Sequence, residues 1–213
     1  GDDSVTFVGA AVNSANYNVL ASGTTQIQVG SGQTINQLQI DGVETVLDQL
    51  NAGTRQFFVG TGIDSAVLQG NAGSACWQLT SSAGPSIVFA APSQQLSLVA
   101  TSGANIELTG SLGLQGAGLK VQAGQIDVNG TITSHDAAID LSARQALTIA
   151  ADGAIADARG HVTLNAGNTG TLKLSGEISV AGNGAGDVAG SVQLRGQQIE
   201  LLNGALIDAS GPA

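Results

Sequence analysis

Two carboxylates, Glu107 and Asp127, occupy the centres of the matching phrases Ile106-Glu107-Leu108 and Ile126-Asp127-Val128. Carboxylates held close together can serve general acid–base catalysis or share a cation, and each then raises the other's pKa. On adjacent strands of one sheet this pair has that potential, but as solvated groups the two would do no more than repel each other mildly. The solvated reading is adopted. His135-Asp136 and His161 are isolated from one another and from any nucleophile, so they read as surface histidines rather than as part of a triad or metal centre. No serine lies in a Gly-x-Ser-x-Gly elbow. Asp187 closes the run Gly182-Asn183-Gly184-Ala185-Gly186, but Asn183 and Ala185 stand where a calcium-binding nonapeptide needs glycine. Cys76, beside Trp77, is expected to be a small buried residue. The sequence therefore assigns no catalytic, cofactor-binding or metal-ligating residue, and no cofactor.

The elements that carry these residues repeat. Ile106-Glu107-Leu108 is followed by Gly110-Ser111-Leu112, and Ile126-Asp127-Val128 by Gly130-Thr131-Ile132. Leu147-Thr148-Ile149 leads to Gly153-Ala154-Ile155, Leu172-Lys173-Leu174 to Gly176-Glu177-Ile178, and Ile199-Glu200-Leu201 to Gly204-Ala205-Leu206. The glycines are 20, 23, 23 and 28 residues apart. An alternating pair precedes each copy: Leu96/Leu98, Leu119/Val121, Ile139/Leu141, Val162/Leu164 and Val192/Leu194. Alternation places these aliphatics on one face of a strand, and a recurring glycine suits a corner needing positive φ or close backbone approach.

The expected fold is all-β: a right-handed parallel β-helix, or solenoid, with three short strands per coil and about 20–23 residues per coil. Rungs would stack about 4.8 Å apart. Glu107, Asp127, Thr148, Lys173 and Glu200 then form one outward column, and Ser97, Lys120, Asp140, Thr163 and Gln193 another. Lys120–Asp140 and Lys173–Glu200 are expected as rung-to-rung charge pairs, each contributing little. The regular repeats cover residues 95–213. Residues 1–94 hold all six aromatics, Phe7, Tyr17, Phe57, Phe58, Trp77 and Phe89. They read as an irregular solenoid segment, an N-terminal cap or a separate small domain. A short helix is expected at 42–52, with Asp41 and Glu44 as a capping box, Val43, Val46, Leu47 and Leu50 as its apolar face and Gly53 as its stop.

Composition narrows the classes further. Charged residues make up 10% and aromatics 3% of the chain, below what an ordinary globular enzyme carries. The net charge of −10 and the lack of a basic stripe disfavour nucleic acid and anionic membrane surfaces as partners. No apolar run reaches the roughly 18–20 residues of a membrane span, so no membrane insertion is expected. A single cysteine excludes an internal disulfide, and the start at Gly1 suggests a processed product or an excised fragment.

The repeat, the Gly182–Asp187 loop and the closing Gly204-Ala205-Leu206-Ile207-Asp208-Ala209-Ser210-Gly211 resemble the filamentous-haemagglutinin class of giant bacterial adhesins. The resemblance covers about residues 95–211. It implies export by two-partner secretion, an extracellular place on the bacterial cell surface, and a long right-handed β-helix. The Asn-Pro-rich signature of that family's secretion domain is missing, the three prolines being Pro85, Pro92 and Pro212. The function expected is a non-catalytic structural rod segment of a large adhesin or surface filament. The alternatives are a self-assembling extracellular fibre subunit and a β-helix carbohydrate-active enzyme or glycan-binding module. The partners expected are neighbouring solenoid coils of the same or an identical chain, associating end to end, and a host-cell or neighbouring-cell surface glycan or protein.

Overall fold

The computed structural model describes residues 3–9, 11–31, 33–71, 76–101, 103–182 and 187–211, and every regular element among them is a strand. The first part of the chain forms β1 (Ser4–Phe7), β2 (Val12–Val19), β3 (Thr25–Ser31), β4 (Thr34–Ile40), β5 (Thr45–Asp48), β6 (Ala52–Val59), β7 (Ser65–Gly70), β8 (Cys76–Ser81) and β9 (Ser86–Ala90). Next come β10 (Gln95–Ala100), β11 (Asn105–Gly113), β12 (Gly118–Val128), β13 (Thr131–His135), β14 (Ala138–Ile149) and β15 (Ala154–Ala158). The chain continues through β16 (His161–Asn165), β17 (Thr171–Leu174), β18 (Glu177–Ser179), β19 (Ser191–Arg195), β20 (Gln198–Leu201) and β21 (Leu206–Asp208).

Parallel ladders join strands that are far apart in sequence. One passes through β2, β6, β10, β12, β14, β16 and β19. A second runs from β7 through β11 and the later halves of β12 and β14 to β17 and β20. The third joins the end of β11 to β13, β15, β18 and β21. Inward positions register with inward positions. Ile106, Ile126, Leu147 and Leu172 align and are 0% exposed. The outward neighbours Asp127 and Thr148 are half-buried, and Lys173 is exposed.

The recurring glycines mark where adjacent strands press together. A Cβ on Gly110 would collide with the Gly70 carbonyl, one on Gly130 with the Gly110 carbonyl, and one on Gly176 with the Gly153 carbonyl. Only a residue without a side chain permits that approach. On another corner the non-glycine residues Gln115, Asp136 and Arg159 adopt positive φ of 50°, 54° and 63°.

The sheet is mixed rather than wholly parallel. β3 pairs antiparallel with β2 and β4, and β8 does so with β7 and β9. All these pairs lie before residue 91 and build one end of the molecule. The helix expected at 42–52 is absent; its residues form β5 and the start of β6. Val46 pairs with Val5 on one side and Ile87 on the other, so its backbone is satisfied by strands on both sides. The apparent helical spacing conceals an alternation in which Val46, Asp48, Leu50 and Ala52 are buried. Nor does a capping box form: Asp41 accepts from Gln39, and the Glu44 carboxylate accepts the Asp3 backbone N–H.

Candidate functional site

Glu107 and Asp127 are register partners on adjacent strands. Each carboxylate is engaged by a carboxamide. Asn129 Nδ2 donates to Glu107 at 2.7 Å, and Asn105 Nδ2 donates to Asp127 at 3.1 Å. The partners beyond the pair are Val67 and Thr148, which add no third acid. Among the described residues no group of three or more His, Cys, Asp or Glu is placed to hold a metal ion. Lys173, exposed, reaches the half-buried Glu200 at 3.6 Å. Lys120 and Asp140 are aligned but form no ion pair, because Asp140 instead accepts from Ser142 Oγ at 2.9 Å. Cys76 is exposed rather than buried; alternation along β8 turns Trp77 into the core and Cys76 outward. The residues 183–186 of the glycine-rich loop lie outside the described residues.

Sequence reasoning missed two buried clusters. In the first, Arg55 is 1% exposed and forms an ion pair with Asp48, 3% exposed, while Tyr17 donates its hydroxyl to the same carboxylate. Arg55 Nε also donates to the Ala90 carbonyl at 2.9 Å, and Asp48 accepts the Leu50 backbone N–H at 2.8 Å. The Arg55 guanidinium sits 5.6 Å from the Phe89 ring centroid. Tyr17, Phe57 and Phe89 stack at 4.6 and 4.7 Å, with Trp77 edge-on to Phe89. Burial pushes the Tyr17 hydroxyl up to about 12, with Arg55 pulling it partly back. Every partner here is internal and sealed from solvent, so the cluster is a polar insert in the core. Asp48 falling on the inward face of a strand pattern was its only signal in the sequence.

The second cluster lies on the positive-φ corner. Asp157 is 0% exposed, and neither carboxylate oxygen has a well-formed hydrogen-bond partner among the described residues. Ser134, its register partner, also has a buried hydroxyl without a partner. Burial pushes the Asp157 carboxyl above its ordinary value; the Ala137 backbone N–H opposes the rise, nearby Asp136 adds to it, and His135 and His161 oppose it. Outside, Arg159 bridges Asp136 at 2.6 Å and Asp187 at 3.3 Å. His161 Nδ1 meets Ser191 Oγ at 2.8 Å. His135 and His161 flank this corner without converging on a nucleophile.

A broad concavity lies elsewhere. It is a cavity of about 560 Å³ on the outer face of the first ladder, lined by residues including Asn18, Gln26, Gln28, Phe58, Val99 and Arg144. A second, of about 400 Å³, shares Val99, Ala100 and Arg144 with it, and a third, of about 400 Å³, shares Asn165, Gly167 and Asn168 with the second. Together they form a groove crossing successive strands. One register row runs along it: Gln39, Gln26, Asn18, Phe58, Val99, Gln122, Ser142, Asn165 and Arg195. Beside it lies the row Gln37, Gln28, Asn16 and Gln56. Phe58 is 39% exposed although its neighbours Phe57 and Val59 are buried. No match to this chain is found among protein-family models, curated proteins or solved structures.

Proposed function

We propose that this chain is a non-catalytic rod segment of a large extracellular bacterial surface protein, built as a right-handed β-solenoid. The observation that carries the reading is the in-register stacking of successive strand phrases, seen where Leu119, Ile139, Val162 and Val192 follow one another across parallel rungs. Each rung leaves an edge and an apolar interior that only another rung covers, which is the logic of a repeat shaft. The resemblance to filamentous-haemagglutinin adhesins, with cell-surface location and end-to-end contact between coils, belongs to the same proposal. Support for a non-catalytic role comes from Glu107 and Asp127, each engaged by a carboxamide and lacking a convergent base or electrophile.

Antibody raised against the chain should label intact bacteria that produce it, without permeabilisation. Label confined to permeabilised cells overturns the surface reading. Hydrolase and lyase assays on a glycan panel should show no turnover; turnover abolished by Glu107→Gln or Asp127→Asn overturns the non-catalytic one.

A further inference from the structure

We propose that the groove around Phe58 binds a linear, uncharged oligosaccharide. The chemistry of the face points to such a ligand. Asn16, Asn18, Gln26 and Gln28 project from the antiparallel neighbours β2 and β3, and each carboxamide offers both donors and an acceptor. No side-chain hydrogen bond within the described residues engages these four, in contrast to Asn105 and Asn129, whose amides are committed to carboxylates. A ligand rich in hydroxyls matches an array that donates and accepts at every position. Phe58 supplies the other half of sugar recognition. Its exposed ring face, electron-rich at the centre, complements the weakly positive C–H face of a pyranose.

Size and charge agree with this occupant. The main cavity, about 560 Å³, lies within the range of small-ligand clefts. The two adjoining cavities extend it along the rungs, as an elongated ligand requires. Arg144 is the one ionisable side chain of the main cavity besides the buried Tyr17. A polyanion would meet too few cations here, and a cationic peptide would meet no carboxylate. Antiparallel pairing brings Gln26 and Gln28 beside Asn18 and Asn16, so the irregular end of the sheet creates the site.

The test titrates the whole chain with cellohexaose, maltohexaose, mannohexaose and chitohexaose by calorimetry and amide NMR. At least one should bind saturably, with shifts centred on Asn18, Gln26 and Phe58. Phe58→Ala should weaken that binding about tenfold, while Phe58→Trp restores it. Because Phe58 points outward, its unfolding midpoint serves as the control for an intact fold. The proposal is overturned if none of the four binds at about 10 mM, a concentration that reveals even very weak sites. It is also overturned if binding survives Phe58→Ala unchanged. Heparin that binds indifferently to Phe58→Ala but is lost on Arg144→Ala, with no neutral sugar binding, would make the groove an anion site instead.

Discussion

Asp157 is the residue whose placement conflicts most with its chemistry. A carboxylate taken from water without a good partner favours its protonated form, and its pKa rises in the folded chain alone. A raised folded value means the stability it lends is complete below the ordinary carboxylate range and is lost as pH climbs through the raised value. At neutral pH the charged group therefore burdens the fold. Asp157→Asn should raise the denaturation midpoint at pH 7, by about 1 kcal/mol in stability, and flatten the pH dependence above the ordinary carboxylate range. An unchanged or lowered midpoint would mean that the carboxylate is satisfied where it lies. The Asp48–Arg55–Tyr17 cluster is the contrasting case: it is as deeply buried, but donors and acceptors are matched.

Among the elements, the glycine column is the most exacting. Gly130 lies in direct backbone contact with Gly110, and an added methyl would need one strand to move off the other. Gly130→Ala should therefore destabilise the chain by about 1–3 kcal/mol, whereas Gly103→Ala meets no neighbouring atom and strains only its own φ of 104°. Equal effects on the urea midpoint would remove close approach as the explanation. This column was legible in the sequence because glycine recurred between apolar-x-apolar phrases. The pairing registers were legible for most copies, since an inward residue of one strand aligns with an inward residue of the next. In the last copy, however, Ile207 and not Leu206 follows Ile178, the extra residue after Leu201 shifting the phrase by one. What was not legible is instructive. Val43, Val46, Leu47 and Leu50 fit a helical face and a broken strand pattern equally well, and the hidden partner that decided it was Arg55, seven residues from Asp48. The antiparallel strands β3, β4 and β8 left no repeat to detect, so the carboxamide rows assembled by those of β2–β4 could not be foreseen. Cys76 and Trp77 likewise exchange faces only once the phase of β8 is known.

At the scale of the whole molecule, the two ends are unlike. The C-terminal edge exposes Ile199 (43%), Leu201 (60%) and Ile207 (38%), whose register partners Leu172, Leu174 and Ile178 are buried. Gln197, Leu202 and Leu206 donate backbone N–H bonds back to Gly170, Leu174 and Gly176, and alternation turns the intervening backbone groups toward the open edge. The isolated chain should therefore associate in a concentration-dependent way through this edge. Leu201→Lys should suppress that association without lowering the unfolding midpoint; persistent association would place the contact elsewhere. The opposite end has its strands folded back, with Ser31 pairing to Thr34. That asymmetry gives assembly of the fold a direction in time. Hairpin pairs close over a few residues and form within microseconds, whereas a parallel rung must first close a loop such as that from Ile139 to Val162. The β2–β4 meander is thus the natural nucleus, and each later parallel strand finds its template already laid down. Pulse-labelled hydrogen exchange during refolding should protect residues 12–40 before 161–208; the reverse order would put the nucleus in the repeats.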